Sequence, residues 1–299
     1  MEGLFAGIEF GGTKWVCALA RSNGEILEKT RVATLSPSET IPQVIAFLEA
    51  WSSTYGMLQG IGIGSFGPLD LDPNSATYGY LTTTPKPGWA YTNLIGAFKE
   101  AFDIPIGFDT DVNAAALGEH QWGAARGLTD FVYLTVGTGI GGGGMVNGEP
   151  IHGMMHPEMG HLYLPHDLQR DPFPGICPYH RDCLEGLASA PAREARWGQR
   201  GESLPSEHPA WELEAHYLAL GLVNIICTLS PRRIILGGGV MRQPRLLPLI
   251  RKNVQRLING YIRSTHLESG MDRFLVPPAL GDESGVLGAL ALALQAARN

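Results

Sequence analysis

One pattern occurs twice in this chain, and few folds can accommodate it. Phe5–Phe10 reads as a short buried strand, Gly11-Gly12 turn the chain, and Lys14–Ala20 reads as a second strand. Ser22-Asn23-Gly24-Glu25 is a hairpin turn leading into a third strand, Ile26–Ala33. Far downstream the same order returns: a strand at Phe131–Val136, a turn at Gly137-Thr138-Gly139, a strand at Ile140–Val146 and a turn at Asn147-Gly148-Glu149. A repeat of this size predicts one folding unit used twice and facing itself across a cleft. The two Gly/Thr turns are then expected to point into that cleft from opposite sides.

The elements between the repeats read as an α/β chain. Apolar spacing from Ser38 to Tyr55 is helical, Ile61–Ser65 is a buried strand, Leu94–Phe102 a helix, Ile106–Phe108 a strand and Asp111–Trp122 a helix. The segment 150–210 is rich in Pro and His and reads as an irregular insertion. Beyond it, Trp211–Leu229 is helical, Ile234–Leu236 is a strand ending in Gly237-Gly238-Gly239, and Ser284–Ala297 is a closing helix.

With 299 residues, 44% hydrophobic and 17% charged, the chain suits two ordinary domains. No stretch approaches the roughly 18 apolar residues of a membrane helix. A net charge of −7 without Lys/Arg runs argues against nucleic acid as a partner. The start, Met1-Glu2-Gly3-Leu4, lacks a basic region followed by an apolar core, so no secretory signal is expected and a reducing cytoplasm is. Disulfides are then not expected. Cys17 and Cys227 lie in apolar segments and read as core residues. Cys177 and Cys183 lie in the Pro- and His-rich loop and call for another explanation.

Three glycine motifs bear on the chemistry. Gly7–Lys14 nearly matches a P-loop, but its Thr13 and Lys14 are in reversed order and a strand pattern follows where a helix is needed. Gly62-Ile-Gly64-Ser-Phe-Gly67 spells a dinucleotide fingerprint, yet Pro68-Leu69-Asp70 follows in place of a helix start. Both matches are rejected. Gly11-Gly12-Thr13 and Gly137-Thr138-Gly139 can instead each offer backbone N–H groups and a hydroxyl to phosphate oxygens. Gly237-Gly238-Gly239 lets a flat adenine or ribose lie against backbone. Any one of them alone is a hairpin turn; three in a duplicated fold point to nucleotide binding.

Taken together, the motifs resemble the ROK family of sugar kinases, most closely its bacterial fructokinases. The matching segments are Gly7–Lys14, Phe66-Gly67-Pro68, Asp109-Thr-Asp111-Val-Asn113-Ala-Ala-Ala-Leu-Gly-Glu119, Leu134–Gly139 with the glycines after it, Pro157-Glu158-Met-Gly160-His161, Cys183-Leu-Glu185-Gly and Leu236–Val240. The resemblance implies an actin-like (ribonuclease H-like) duplicated α/β fold, with two domains around a central cleft. The expected bounds are 1–118 joined by 284–299, and 119–283 carrying an insertion at about 150–210. It also implies transfer of phosphate from MgATP to a hexose hydroxyl, fructose first and glucose or mannose as the alternative, and a homodimer. No membrane partner is expected.

Residue by residue, the resemblance makes Asp111 the catalytic base, accepting the proton of the attacking hydroxyl. The competing reading of Asp111 is a helix N-cap. Thr110 stands where many relatives have Asn. Gly11, Gly12, Thr13, Lys14, Thr138, Gly139, Gly237, Gly238 and Gly239 fall to ATP. Glu158, His161 and Glu185 resemble the sugar-binding trio, with Gly67, Pro68 and Asn93 as further sugar candidates beside Asp111. The carboxylates Glu158 and Glu185 would otherwise be exposed loop charge. Glu9, where many relatives have Asp, would hold water on Mg²⁺ or be a solvated strand-end charge.

Cys177-Pro-Tyr-His180-Arg-Asp-Cys183 lets one loop supply three zinc ligands. Two Cys and two His complete a closed tetrahedral site, structural in character. His161 is the fourth ligand that the resemblance carries, while His152, His156 and His166 lie close enough to compete. Relatives commonly supply three Cys here, so His180 replaces one of them. ROK relatives also include sugar-responsive repressors with a helix-turn-helix ahead of the first Gly-Gly-Thr loop. Here that loop begins within a dozen residues of Met1, which leaves no room for such a domain, and Asp111 argues against a non-catalytic protein, so a repressor-like sugar sensor is kept only as the second expectation.

Overall fold

A computed structural model describes residues 3–298; Met1-Glu2, cited above against a secretory signal, and Asn299 lie outside the described residues. The strands are β1 (Leu4–Phe10), β2 (Lys14–Arg21), β3 (Ile26–Ala33), β4 (Leu58–Ser65), β5 (Ile106–Thr110), β6 (Phe131–Val136), β7 (Ile140–Val146), β8 (Glu149–Pro150), β9 (Ile234–Gly237) and β10 (Leu275–Val276). The helices are α1 (Pro37–Tyr55), α2 (Leu94–Ala101), α3 (Asp111–Trp122), α4 (Leu184–Ala188), α5 (Ala190–Trp197), α6 (Ala210–Leu229), α7 (Leu246–Ile258), α8 (Thr265–Glu268), α9 (Met271–Phe274) and α10 (Ser284–Ala296).

The two sheets have one topology. Their orders are β3-β2-β1-β4-β5 and β8-β7-β6-β9-β10. In each, the first strand pairs antiparallel with the next in sequence and parallel with the one after the crossover. The repeat in the sequence is therefore a repeat of fold.

One unit comprises Met1–Gly127, Pro150–Pro157 and Ala279–Asn299. On one face of its sheet, Ile8, Phe10, Trp15, Leu48, Ile61, Ile63, Trp89 and Phe98 form a closed core. Phe10 lies 4.0 Å from the Trp15 ring and 4.6 Å from that of Trp89, centroid to centroid. On the other face α10 lies across β1, β4 and β5 and packs along α3. That approach needs glycine: a Cβ on Gly62 would sit 1.8 Å from the Ala289 carbonyl oxygen, and one on Gly288 1.8 Å from that of Ala114.

The bounds of this unit differ from the expected 1–118 with 284–299. Helix α3 runs unbroken to Trp122. Near its end the fully buried Glu119 carboxylate accepts the N–H groups of Ala124 (2.6 Å), Ala279 (3.1 Å) and Leu280 (3.0 Å) and the Ser284 hydroxyl (2.8 Å). Those four bonds keep 119–127 and 279–283 with the first unit, and 150–157 joins it through histidine contacts described below.

The second unit comprises Leu128–Glu149 and Glu158–Pro278. Its central helix α6 packs on α4 and α7. By length and composition α6 could cross a bilayer, and half of its apolar window is buried inside the protein. Two expectations change here. The insertion is not irregular throughout, since it holds α4 and α5, the latter opened by a Ser189 cap that accepts the Ala192 N–H. Cys227 is exposed rather than core; Ile225 and Ile226 take the buried stripe of α6, and the next residue turns about 100° away.

Candidate active site

In the first unit the expected site residues gather at the carboxyl ends of β1, β4 and β5. Register places Phe10 beside Ser65 and Ser65 beside Thr110, so the segments that follow leave the sheet together. These are the Gly11-Gly12-Thr13-Lys14 turn, the Gly67-Pro68 turn and Asp111. In parallel sheets this edge is where ligands bind. The Gly11 N–H donates to the Lys14 carbonyl (3.1 Å), and the Thr34 hydroxyl donates to the Gly11 carbonyl (2.8 Å). Gly12 and Thr13 are left exposed.

Asp111 is not the helix cap. Thr110 takes that place, its hydroxyl accepting the Asn113 N–H at 3.1 Å. The Asp111 carboxylate accepts the Val112 N–H (2.9 Å). Burial raises its pKa to about 6, against the opposing pull of its own and the Val112 amides. Glu9, at the end of β1 beside Gly285, is pushed up to about 7 by burial and then by the Asp111 charge, with Asp282 and Glu283 adding to the effect and Lys14 opposing it. Glu9 is thus a partly buried acid near neutrality and not a solvated strand-end charge. Asn93 caps α2, its side-chain oxygen accepting the Gly96 N–H at 2.8 Å, so that oxygen is already engaged.

In the second unit the two remaining glycine turns stand side by side. Thr135 is in register with Gly237, and β6 runs into Gly137-Thr138-Gly139 as β9 runs into Gly238-Gly239. Gly238 has φ +91, and a Cβ there would lie 2.3 Å from the Val136 carbonyl oxygen, so only glycine fits. The Gly137 N–H donates to the Gly139 carbonyl and the Ala190 N–H to that of Gly137, both at 2.8 Å, leaving Thr138 exposed at the tip. Glu185 stands in the first turn of α4, partly buried, with one carboxylate oxygen accepting the Ile140 N–H at 2.9 Å. Glu158 is exposed, and its carbonyl accepts the His161 N–H at 3.0 Å.

The four candidate metal ligands lie together. His161, Cys177, His180 and Cys183 bring one ligand atom each to within 4.8 Å of one another. Nδ1 of His161 is 3.7 Å from Cys177 Sγ and 3.5 Å from Cys183 Sγ, and Nδ1 of His180 is 3.7 Å from Cys177 Sγ. A zinc tetrahedron with Zn–S and Zn–N bonds of ordinary length has mixed S/N edges of about 3.6 Å. The residues therefore fit the ion. The competing histidines are engaged elsewhere: His152 on Asp109, His156 on the Leu69 N–H, and His166 on Asp182 and Asp171.

Asp109, His152 and His156 were not among the residues expected at the site. Asp109 lies within the Asp109–Glu119 segment already singled out, and that was its only signal. The histidines had none beyond metal-binding composition.

Two sheets of one topology, each carrying Gly/Thr turns at its strand ends, make the duplicated actin-like α/β fold. The chain belongs to the ROK family, whose sequence profile matches residues 5–296. It is similar to the fructokinase of Zymomonas mobilis subsp. mobilis, 45% identical over 98% of this chain and 97% of that protein. The fructokinase of Lactococcus lactis subsp. cremoris is 44% identical over 98% of each chain. Among solved structures, a ROK family glucokinase from Streptomyces griseus in complex with glucose and AMPPNP matches with a TM-score of 0.79 at 25% identity, covering 98% of this chain and 100% of that one.

Proposed function

We propose that the protein is an ATP-dependent fructokinase that converts fructose to fructose 6-phosphate, with Asp111 as the base. The observation that carries the chemistry is a partly buried carboxylate at the end of β5, released from capping duty by Thr110 and poised near pH 6. A base of that pKa is ionised at neutral pH and still basic enough to take a hydroxyl proton as it becomes acidic. The hydroxyl oxygen bonds to the γ-phosphorus, the bond to the β–γ bridging oxygen breaks, and the hydroxyl proton passes to Asp111. Fructose as acceptor is supported by the names and near-complete coverage of the two fructokinases.

The exposed Gly12-Thr13 and Thr138 turns, with Gly11, Lys14, Gly139 and the Gly237–Gly239 run, are the groups that would hold ATP, the exposed turns meeting phosphate through backbone N–H groups and hydroxyls. Glu9 would hold water on the nucleotide's Mg²⁺. Gly67, Pro68, Glu158, His161 and Glu185 would line the sugar. Asn93 could join them only through its amide nitrogen. Zinc on His161, Cys177, His180 and Cys183 would supply a structural cross-link and no open coordination position. Cys183 is two residues from Glu185 and His161 three from Glu158, so the cross-link would orient both carboxylates. A homodimer in the cytoplasm rests on the family resemblance.

Incubation with MgATP and a panel of fructose, glucose, mannose and N-acetylated hexosamines, following ADP release, tests this reading. Preferred turnover of fructose is expected. Preference for glucose or mannose would move the assignment within the family, and sugar binding without ADP release would establish a sensor instead.

A further inference from the structure

The segment 150–157 leaves β8 and is tied to the first unit by two histidines. His156 is buried; its Nε2 accepts the Leu69 N–H at 3.0 Å, and its Cε1 lies 3.0 Å from where a Cβ on Gly67 would be. His152 meets Asp109 at the end of β5, Nε2 to Oδ2, at 2.9 Å. The strap therefore bridges the ends of β4 and β5, from the Gly67-Pro68 turn to the residue two before Asp111.

Asp109 is a buried carboxylate that accepts three hydrogen bonds. Besides His152 it accepts the Thr110 N–H (2.7 Å) and the Asn113 side-chain N–H (2.9 Å). Because a carboxylate only accepts, it fixes His152 with its proton on Nε2. The Asn113 amide nitrogen, 3.3 Å from that same Nε2, is also a donor here and cannot bond to it. The ring is thus held in one orientation and one tautomer, while 43% of the side chain remains exposed. Among the described residues nothing bonds to Nδ1. A buried, hydrogen-bonded carboxylate holding a half-exposed imidazole with one idle nitrogen is an arrangement that presents the nitrogen to something.

We propose that His152, positioned by Asp109, contacts a non-reacting hydroxyl of the hexose through Nδ1 and is a specificity-determining residue of the acceptor site. The proposal rests on the fructokinase reading. A sugar hydroxyl both donates and accepts, so it pairs with Nδ1 whether the imidazole is neutral or protonated. Asp109 is a positioning residue: it touches His152 and orders its ring.

The discriminating variant is His152→Gln, whose side-chain N–H₂ can still donate to Asp109 while the Nδ1 position disappears. The fructose KM is expected to rise about tenfold, the value of one well-placed hydrogen bond, with kcat and the ATP KM within about twofold. A series of monodeoxy fructoses should single out one hydroxyl whose removal weakens the wild type but not the variant. An unchanged fructose KM overturns the proposal, as does an equal loss with every deoxy sugar, which marks a merely structural effect. Should the variant fail to fold, the wild type decides: fructose without ATP should protect His152 from diethyl pyrocarbonate, read by peptide mass, and absence of protection refutes the contact. Wild-type protein that phosphorylates no hexose fails the fructokinase reading itself, an outcome distinct from active enzyme with an indifferent His152.

Discussion

Replacing Asp111 by Asn should destroy activity and stabilise the fold at once. Burial moves the carboxyl from 3.8 to about 6, so the folded protein holds this proton more tightly than the unfolded chain does. At about 1.36 kcal/mol per unit the ionised group destabilises the folded state by up to about 3 kcal/mol, and its partial access to water reduces this to about 1–3 kcal/mol. The sign follows from linkage: below about pH 4 both states are protonated and the penalty is absent, it grows between about pH 4 and 6, and it stays constant above. Asp111→Asn removes it. Glu9 adds in the same direction, because the Asp111 charge is the second cause of its own raised pKa. Urea unfolding at pH 8 and pH 4.5 should show the variant more stable than wild type at pH 8, with most of the difference gone at pH 4.5. ADP release should fall about 10²-fold or more, while wild-type turnover should drop about tenfold per unit below pH 6. An Asn variant no more stable than wild type at pH 8 would refute the desolvated carboxylate. Near-normal turnover would refute the base.

Thr138→Val keeps the shape of the second glycine turn and removes its hydroxyl, so the ATP KM should rise with the fructose KM little changed; unaltered ATP kinetics would leave the turn purely structural. Protein purified without added zinc should carry about one zinc per chain by metal analysis. Strong chelation should raise the fructose KM and lower the Tm while ATP affinity holds, and metal-free protein with normal sugar kinetics would remove the site. Glu119→Ala strips the acceptor from three amides and the Ser284 hydroxyl, costing about 3–6 kcal/mol, which a urea midpoint will show; a shift below about 1 kcal/mol would mean that water replaces the carboxylate.

The elements that were legible in advance are those whose pattern is local. β1, β2 and β6 announce themselves as apolar runs, β3 and β7 by their place directly after Gly-bearing turns, and α1 by apolar residues at helical spacing, because these signals are carried by neighbouring residues. Three of the four candidate metal ligands were legible for the same reason: Cys177, His180 and Cys183 lie within seven positions of one loop. Helices α4 and α5 were not, since segments so short gain little from propensity and stand on tertiary packing.

By itself, the sequence determined that the unit is used twice and which residues are candidates for the site. Tertiary structure alone decided what each of those residues is free to do. Asp111 and Thr110 are both competent caps, and only the path of the chain from β5 into α3 gave the cap to Thr110 and left the carboxylate for chemistry. Four histidines could have met the cysteines, and only folding sent His152 to Asp109, His156 to Leu69 and His166 to Asp171 and Asp182, leaving His161 beside Cys177 and Cys183. The physical reason is that a polar group's role is set by the partners within about 3 Å once water is excluded, and those partners come from distant parts of the chain.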